Sequence, residues 1–329
     1  MGASSKELLM QVTLAVKRFD PESGTNEQYD QEYTLEVEEY FTVLDALLAV
    51  RDYEDPTLAL RCSCRASICG SCAMRVNGHA KLVCKTKLIN VIDEQGRVRV
   101  EPLGNMPVVK DLIVDMKPFW DKVRAVEPWL QPEGPEPEDE YIAPNDAMIH
   151  LTGVMGCIMC GACVSDCTVL EVDPNFLGPA ALAKAYRFVG DPRDDADESR
   201  LKSLSAYGGI WDCTRCMECV QACPKGVAPM DRIMALRDKA ISIGLDNTIG
   251  ARHTDVFTDS VKHSGRLNEF WLIPRTLGMF NPLSLPYLLR AVPVAWRALR
   301  HRRLPPILHK PIPGVQNVRR IFERVENRK

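Results

Sequence analysis

Residues 213–224 read CTRCMECVQACP, and residues 157–168 read CIMCGACVSDCT, a near copy that begins 56 positions earlier. Both follow the spacing C-x2-C-x2-C-x3-C, as Cys213, Cys216, Cys219 and Cys223 in the later run and Cys157, Cys160, Cys163 and Cys167 in the earlier one. Two-residue spacers let three successive sulfurs curl toward one point. The fourth follows a longer spacer and is turned elsewhere. The second half of the chain is organised around this repeat.

The chain holds thirteen cysteines in 329 residues. Its start, MGASSKELLMQVTLAVKRFD, lacks a basic leader with an apolar run and a small-residue cleavage site, so reduced or metal-bound thiols are expected, not disulfides. Sorted by spacing, a third set emerges: Cys64, Cys69 and Cys72, followed at a distance by Cys84, which is the plant-type [2Fe–2S] pattern. Cys62 is left over, because only Cys64 gives the four-residue spacer before Cys69; it is read as a spectator thiol.

The repeated runs have the bacterial ferredoxin spacing for [4Fe–4S] clusters, in which the fourth cysteine of each run serves the cluster nucleated by the other. The expected ligand sets are therefore Cys157, Cys160, Cys163 with Cys223, and Cys213, Cys216, Cys219 with Cys167. Structural zinc is the alternative, since C-x2-C pairs also bind zinc, and it makes the chain a zinc-stabilised adaptor. Zinc needs two pairs of cysteines, not two triplets plus a fourth.

The six histidines are scattered without ligand spacing, and GxGxxG, P-loop and HExxH motifs are absent. Three electron carriers without a substrate site predict a relay of single electrons, with the protein positioning and tuning the clusters. Composition agrees with a globular chain of about two domains, at 46% hydrophobic and 26% charged residues.

The fold class expected is α+β. Alternation at Val12, Leu14, Val16 and at Tyr33, Leu35, Val37 predicts a hairpin around DPESGTN. Thr42 and Asp45 form a capping-box pattern for a short helix with Leu44, Leu47 and Leu48 on one face. Asn77-Gly78 predicts a type I′ turn, and RVRVEPL another strand. QPEGPEPEDEYIAPND, residues 131–146, has four prolines and six acids with no base, and reads as a solvated linker. Beyond it, helices are expected from Pro179 to Gly190 and again up to Gly244. The expected domains are 1–125, a linker at 126–146, a helical cluster domain at 147–250 and a basic extension at 251–329.

Residues 8–245 resemble the iron–sulfur subunit of succinate dehydrogenase and fumarate reductase, the complex II family. SCRASICGSCAMRVNG, MKPFWDKVRAVEPWL and CPKGVAP carry the resemblance. It implies a β-grasp plant-type ferredoxin domain followed by an α-helical domain with two cubane clusters. It also implies a flavoprotein partner whose covalent FAD interconverts succinate and fumarate, and a membrane-associated, quinone-reactive partner. In that family the Cys64 cluster sits nearest the flavin, the Cys157 cluster in the middle and the Cys213 cluster nearest quinone. The chain is then an enzyme only as an electron-transfer subunit, peripheral to the membrane on its cytoplasmic side.

Three departures refine this expectation. The common family member lacks a cysteine where Cys216 stands and holds [3Fe–4S]; here a second [4Fe–4S] is expected, with [3Fe–4S] as the alternative at that site. Thr214 and Thr168 stand where the common form has the His and Pro that help shape its quinone pocket, and VLEVD follows Thr168 where that form has a nearby Trp. The tail is longer than usual. These features resemble the less common branch whose membrane partner is a cysteine-rich, heterodisulfide-reductase-like subunit; a thiol-driven fumarate reductase is the alternative.

The net charge of −3 hides an asymmetry: from Phe270 to Phe322 there are nine Lys and Arg and no acid, which leaves −12 on the remainder. LSLPYLLRAVPVAWRAL is interrupted by Pro286, Arg290 and Pro293 and is not expected to span a bilayer. Mixed with arginines, it reads as a segment for lipid or partner docking. Nucleic acid is not an expected partner, because no recognised module accompanies the basic stretch.

Overall fold

The computed structural model describes residues 9–25, 27–278 and 285–327, without the side chains of Tyr287, Leu288 and Ala291. The first eight residues of the stretch read for a leader, Asn26 of the predicted turn and residues 283–284 of the tail segment lie outside this description. By internal contacts the chain forms two compact units, Met1–Leu236 and Arg237–Lys329.

The first unit opens with the alternating segments. Strands β1 (Leu9–Arg18) and β2 (Tyr29–Glu38) pair antiparallel, with Val12 opposite Leu35 and Leu14 opposite Tyr33. Val12, Leu14 and Val16 are fully buried, as period-two patterning requires of one sheet face. Strands β3 (Ala73–Val76) and β4 (His79–Leu82) are joined by Asn77 and Gly78, at φ 50° and 82°, the left-handed pair of a type I′ turn. Strand β5 (Arg97–Glu101) runs parallel to β1 and antiparallel to β3, giving the order β2-β1-β5-β3-β4.

Helix Val43–Ala49 begins at Thr42, whose hydroxyl accepts from the Asp45 N–H (3.2 Å), while the Thr42 N–H donates to the Asp45 carboxylate (3.0 Å). Leu44, Leu47 and Leu48 are buried. One helix held by a mixed sheet is the β-grasp arrangement.

A second hairpin, β6 (Val108–Lys110) with β7 (Ile113–Val114), is too short to show alternation. A buried ion pair fixes it to the sheet instead. Arg18, 4% exposed, donates through Nε to Asp111 (2.9 Å) and through its other nitrogens to Asp55 and Thr57. Asp111 also accepts from the Phe19 and Ala59 N–H groups.

Helix Lys117–Ala125 follows, and no helix or strand occurs between 127 and 144. Residues 132–142 are exposed, as a solvated linker would be, but the segment's beginning is strapped down. Arg200, buried beside Asp194, donates to the Val126, Glu127 and Trp129 carbonyls, and the Asp194 carboxylate accepts from the Gln131 N–H.

Helix Gly178–Val189 carries Pro179 in its first turn and ends at Gly190. Gly190 sits at φ −91°, so its glycine is needed for room and not for a left-handed cap: a Cβ there would lie 2.9 Å from both the His150 ring and Leu151. Helix Pro229–Ser242 contains the boundary between the units and stops before Gly244, which is left-handed at φ 84°.

In the second unit, Thr248 caps helix Ile249–Ser264 and Asn268 caps helix Glu269–Leu277. The first of these helices is joined to helix Val315–Glu326 by a Lys262–Glu326 ion pair at 2.7 Å. Helix Leu285–Arg300 completes the unit. Among the described residues, no helix is long and apolar enough to cross a membrane.

Candidate metal centres

The loop from Cys64 to Cys72 leads into β3, and Cys84 lies just beyond β4. Left-handed residues Arg65, Ser67 and Gly70 coil the loop. That curl aims backbone N–H groups at sulfur: Ala66, Ile68 and Cys69 lie 3.4, 3.3 and 3.3 Å from the Cys64 Sγ. Ser71 Oγ is 3.1 Å from the Cys69 Sγ. This hydrogen bond, with others from the Cys64 and Ser71 side, draws the Cys69 thiol down to about 6. Burial pushes Cys72 up to about 12, helped by the adjacent Cys84 and Cys69. The loop thus places donors that favour negative sulfur around Cys64 and Cys69. Cys62 interacts with Arg51.

The two repeated runs share their left-handed residues and the helix that follows them. Met159 and Gly161 have φ 54° and 81°, and their counterparts Arg215 and Met217 have φ 60° and 71°. Each second left-handed residue precedes a one-turn helix, Ala162–Ser165 or Glu218–Gln221, which carries the third cysteine. Met217 adopts without glycine a conformation that costs an ordinary residue ~1 kcal/mol or more, so the local turn is imposed by its surroundings.

Two cavities result. One is lined by Cys157, Cys160, Cys163 and Cys223, the other by Cys167, Cys213, Cys216 and Cys219. Burial raises the thiols of Cys160, Cys163 and Cys167 and lifts Cys219 to about 12, with neighbouring sulfurs adding to each shift. Crowded thiolates in such surroundings need a cationic centre to ionise. Each cavity is lined by four cysteines, with no histidine or carboxylate among its lining residues, an all-sulfur donor set. The donor set therefore fits polynuclear iron–sulfur groups. Val227 N–H donates to the Cys223 Sγ (3.4 Å), and Thr168 Oγ1 lies 3.5 Å from the Cys216 Sγ.

The cysteine loops are also held against one another by residues that the spacing did not reveal. Gly70 abuts Cys160. Asn105 donates through its side-chain amide to the Val164, Ser165 and Cys167 carbonyls, so it grips the turn between the third and fourth cysteines of the earlier run. Asp166 in that turn accepts from the Ala80 N–H (2.8 Å) and pairs with Arg75 (3.4 Å). A polar Ser-Asp pair between two cysteines was the available signal in the sequence.

Residues 13–121 match the family model described as a 2Fe-2S iron-sulfur cluster binding domain, and residues 153–227 match that of a 4Fe-4S dicluster domain. The 8-methylmenaquinol:fumarate reductase iron-sulfur subunit of Wolinella succinogenes is 36% identical over 80% of this chain and 84% of its own. The fumarate reductase iron-sulfur subunit of Mycobacterium tuberculosis is 40% identical over 69% of this chain and 91% of its own. The chain belongs to the iron–sulfur subunits of the succinate dehydrogenase and fumarate reductase family.

A solved structure agrees: a chain of the Mycobacterium smegmatis Sdh1 complex superposes with a TM-score of 0.66 at 26% identity, over 73% of this chain and 99% of that one. As a complex II iron–sulfur subunit, the protein serves electron transfer and carries [2Fe–2S] and [4Fe–4S]-type clusters. Membership implies a flavoprotein and a membrane anchor as partners, and a peripheral place at the membrane.

Proposed function

We propose that Cys64, Cys69, Cys72 and Cys84 hold a [2Fe–2S] cluster, that Cys157, Cys160, Cys163 and Cys223 hold one [4Fe–4S] cluster, and that Cys213, Cys216, Cys219 and Cys167 hold a second. When bound, such clusters accept and release single electrons, which suits a relay between a two-electron flavin and a membrane-associated acceptor. The observation that carries this reading is the lining of the two cavities, each with three sulfurs from one run and one from the other.

The residues of the chain perform separate tasks in this role. N–H groups of Ala66, Ile68 and Cys69 stabilise charge on Cys64. Asn105 and Asp166 fix the turn that delivers Cys163 and Cys167. The division into 1–125, 126–146, 147–250 and 251–329 assigns one cluster to the sheet-bearing part, two to the helical part, and partner or membrane docking to the tail.

The membrane partner in this reading is the cysteine-rich, heterodisulfide-reductase-like type. Cys216 completes four sulfurs at the cavity, and Thr168 stands beside it, where the common family form has Pro. The cytoplasmic face of the membrane is part of the same reading, since cluster-bound cysteines in these numbers suit a reducing compartment.

Anaerobic purification with iron, sulfide and zinc analysis is the test. About ten irons and ten sulfides per chain, in three separately titrating centres, are expected. A colourless protein with about three zincs would end the proposal. Isolation of the native complex identifies the acceptor: a haem-binding helical anchor in place of a cysteine-rich subunit would overturn the choice of branch alone.

A further inference from the structure

We propose that helix Leu285–Arg300 lies in the plane of an anionic bilayer surface, with its apolar face in the lipid and its arginines at the headgroups. The proposal concerns the tail and does not depend on the cluster assignment. Leu285, Leu289, Val292, Trp296 and Leu299 recur at alternating steps of four and three, which places them in one sector of the helix. Arg290, Arg297 and Arg300 lie along one flank of that sector.

In a globular unit such a stripe is normally the buried one. Here the five residues are exposed by 56%, 60%, 56%, 67% and 52% in order. Among the described side chains of the helix, only Ala298 is not exposed. The face is therefore uncovered within the described chain.

Charge identifies the occupant. No acid occurs between Phe270 and Phe322, and Arg302 and Arg303 follow the helix directly. An anionic lipid surface supplies an apolar interior and a negative boundary in a single plane, matching a stripe edged by arginines. Long arginine side chains can reach that boundary while their stems stay against apolar surface. Pro286 and Pro293 fall on the arginine side, where headgroup water can satisfy the carbonyl that Pro293 leaves without a donor. With 16 residues and three arginines the helix is suited to lie on a bilayer, not to cross it.

The full-length, cluster-loaded chain is tested by co-sedimentation with phosphatidylcholine vesicles, plain or containing phosphatidylglycerol. Binding at least about tenfold tighter to the anionic vesicles, weakened by salt, is expected. The triple variant Arg290→Gln, Arg297→Gln, Arg300→Gln should lose about 100-fold in that affinity. The variant Leu289→Glu, Trp296→Glu should fail to bind. Iron content and visible spectrum should match the parent in both, since the altered side chains are exposed.

The proposal is overturned if the parent ignores both vesicle types, or if both variants bind as the parent does. It is equally overturned if binding needs the membrane subunit and is indifferent to headgroup charge, which makes a protein the occupant. Vesicle binding by a chain devoid of iron would refute the cluster assignment and leave this proposal standing.

Discussion

Gly70 and Cys160 meet backbone to backbone: a Cβ on Gly70 would lie 2.7 Å from the Cys160 Cβ and 3.1 Å from its Cα. The loop of Cys64–Cys72 thereby touches the run of Cys157–Cys163 with nothing between them. Gly70 is also left-handed, at φ 76°. Gly70→Ala combines ~1 kcal/mol of backbone strain with ~1–3 kcal/mol of overlap. The expected result is a lower unfolding midpoint and an altered magnetic interaction between the two neighbouring centres, at unchanged iron content. A parent-like melt and EPR spectrum would sink this view of the contact.

Arg18 and Asp111 are both nearly sealed from solvent, at 4% and 1% exposure. Removing one partner leaves an uncompensated buried charge. Arg18→Ala is expected to cost about 3–5 kcal/mol, read as a shift in urea midpoint. The double variant Arg18→Met, Asp111→Asn should recover part of that loss, because neither charge then remains. Equal destabilisation by the single and double variants would contradict this account.

Asp191 supplies a pH test away from the cysteines. Hydrogen bonds from Arg193 and then Arg187 hold its buried carboxyl well below the usual carboxylate range. A depressed folded-state pKa contributes stability above the unfolded value of about 4 and loses it as pH falls toward the folded value. The stability difference between the parent and Asp191→Asn should stay constant from pH 7 to about 5 and narrow below about 4. A difference that grows on acidification would show the sign to be wrong.

Cys216 and Cys62 are both thiols without a disulfide, yet only Cys216 lines a cavity with three other sulfurs. Cys216→Ser should therefore lower iron from about ten to about nine per chain and bring up the EPR signal of an oxidised three-iron centre. Cys62→Ser should change neither quantity. A three-iron signal already present at full intensity in the anaerobic parent would refute the cubane at this position.

The periodic parts of the chain were readable in advance. Val12, Leu14 and Val16 declare a buried sheet face, Thr42 and Asp45 a helix start, and Asn77-Gly78 a tight turn, because each rests on local geometry. The cysteine spacing likewise suggests the three sets of four sulfurs proposed as cluster ligands. Arg18 with Asp111, Arg200 with the Val126 carbonyl, and Asn105 with the turn at 164–167 were not legible, since their partners lie 59 to 93 positions away. Gly190 shows the limit most clearly: its place at a helix end could be anticipated, but the His150 ring that demands its missing side chain could not.

The interlaced lining of the two cavities also bears on how the holoprotein is made. The span from Cys167 to Cys213 is nested inside that from Cys157 to Cys223. On the proposed ligation, inserting either cubane shortens the conformational search for the other, because loop closure has already been achieved around it. Maturation should then be cooperative, with half-filled chains scarce and short-lived.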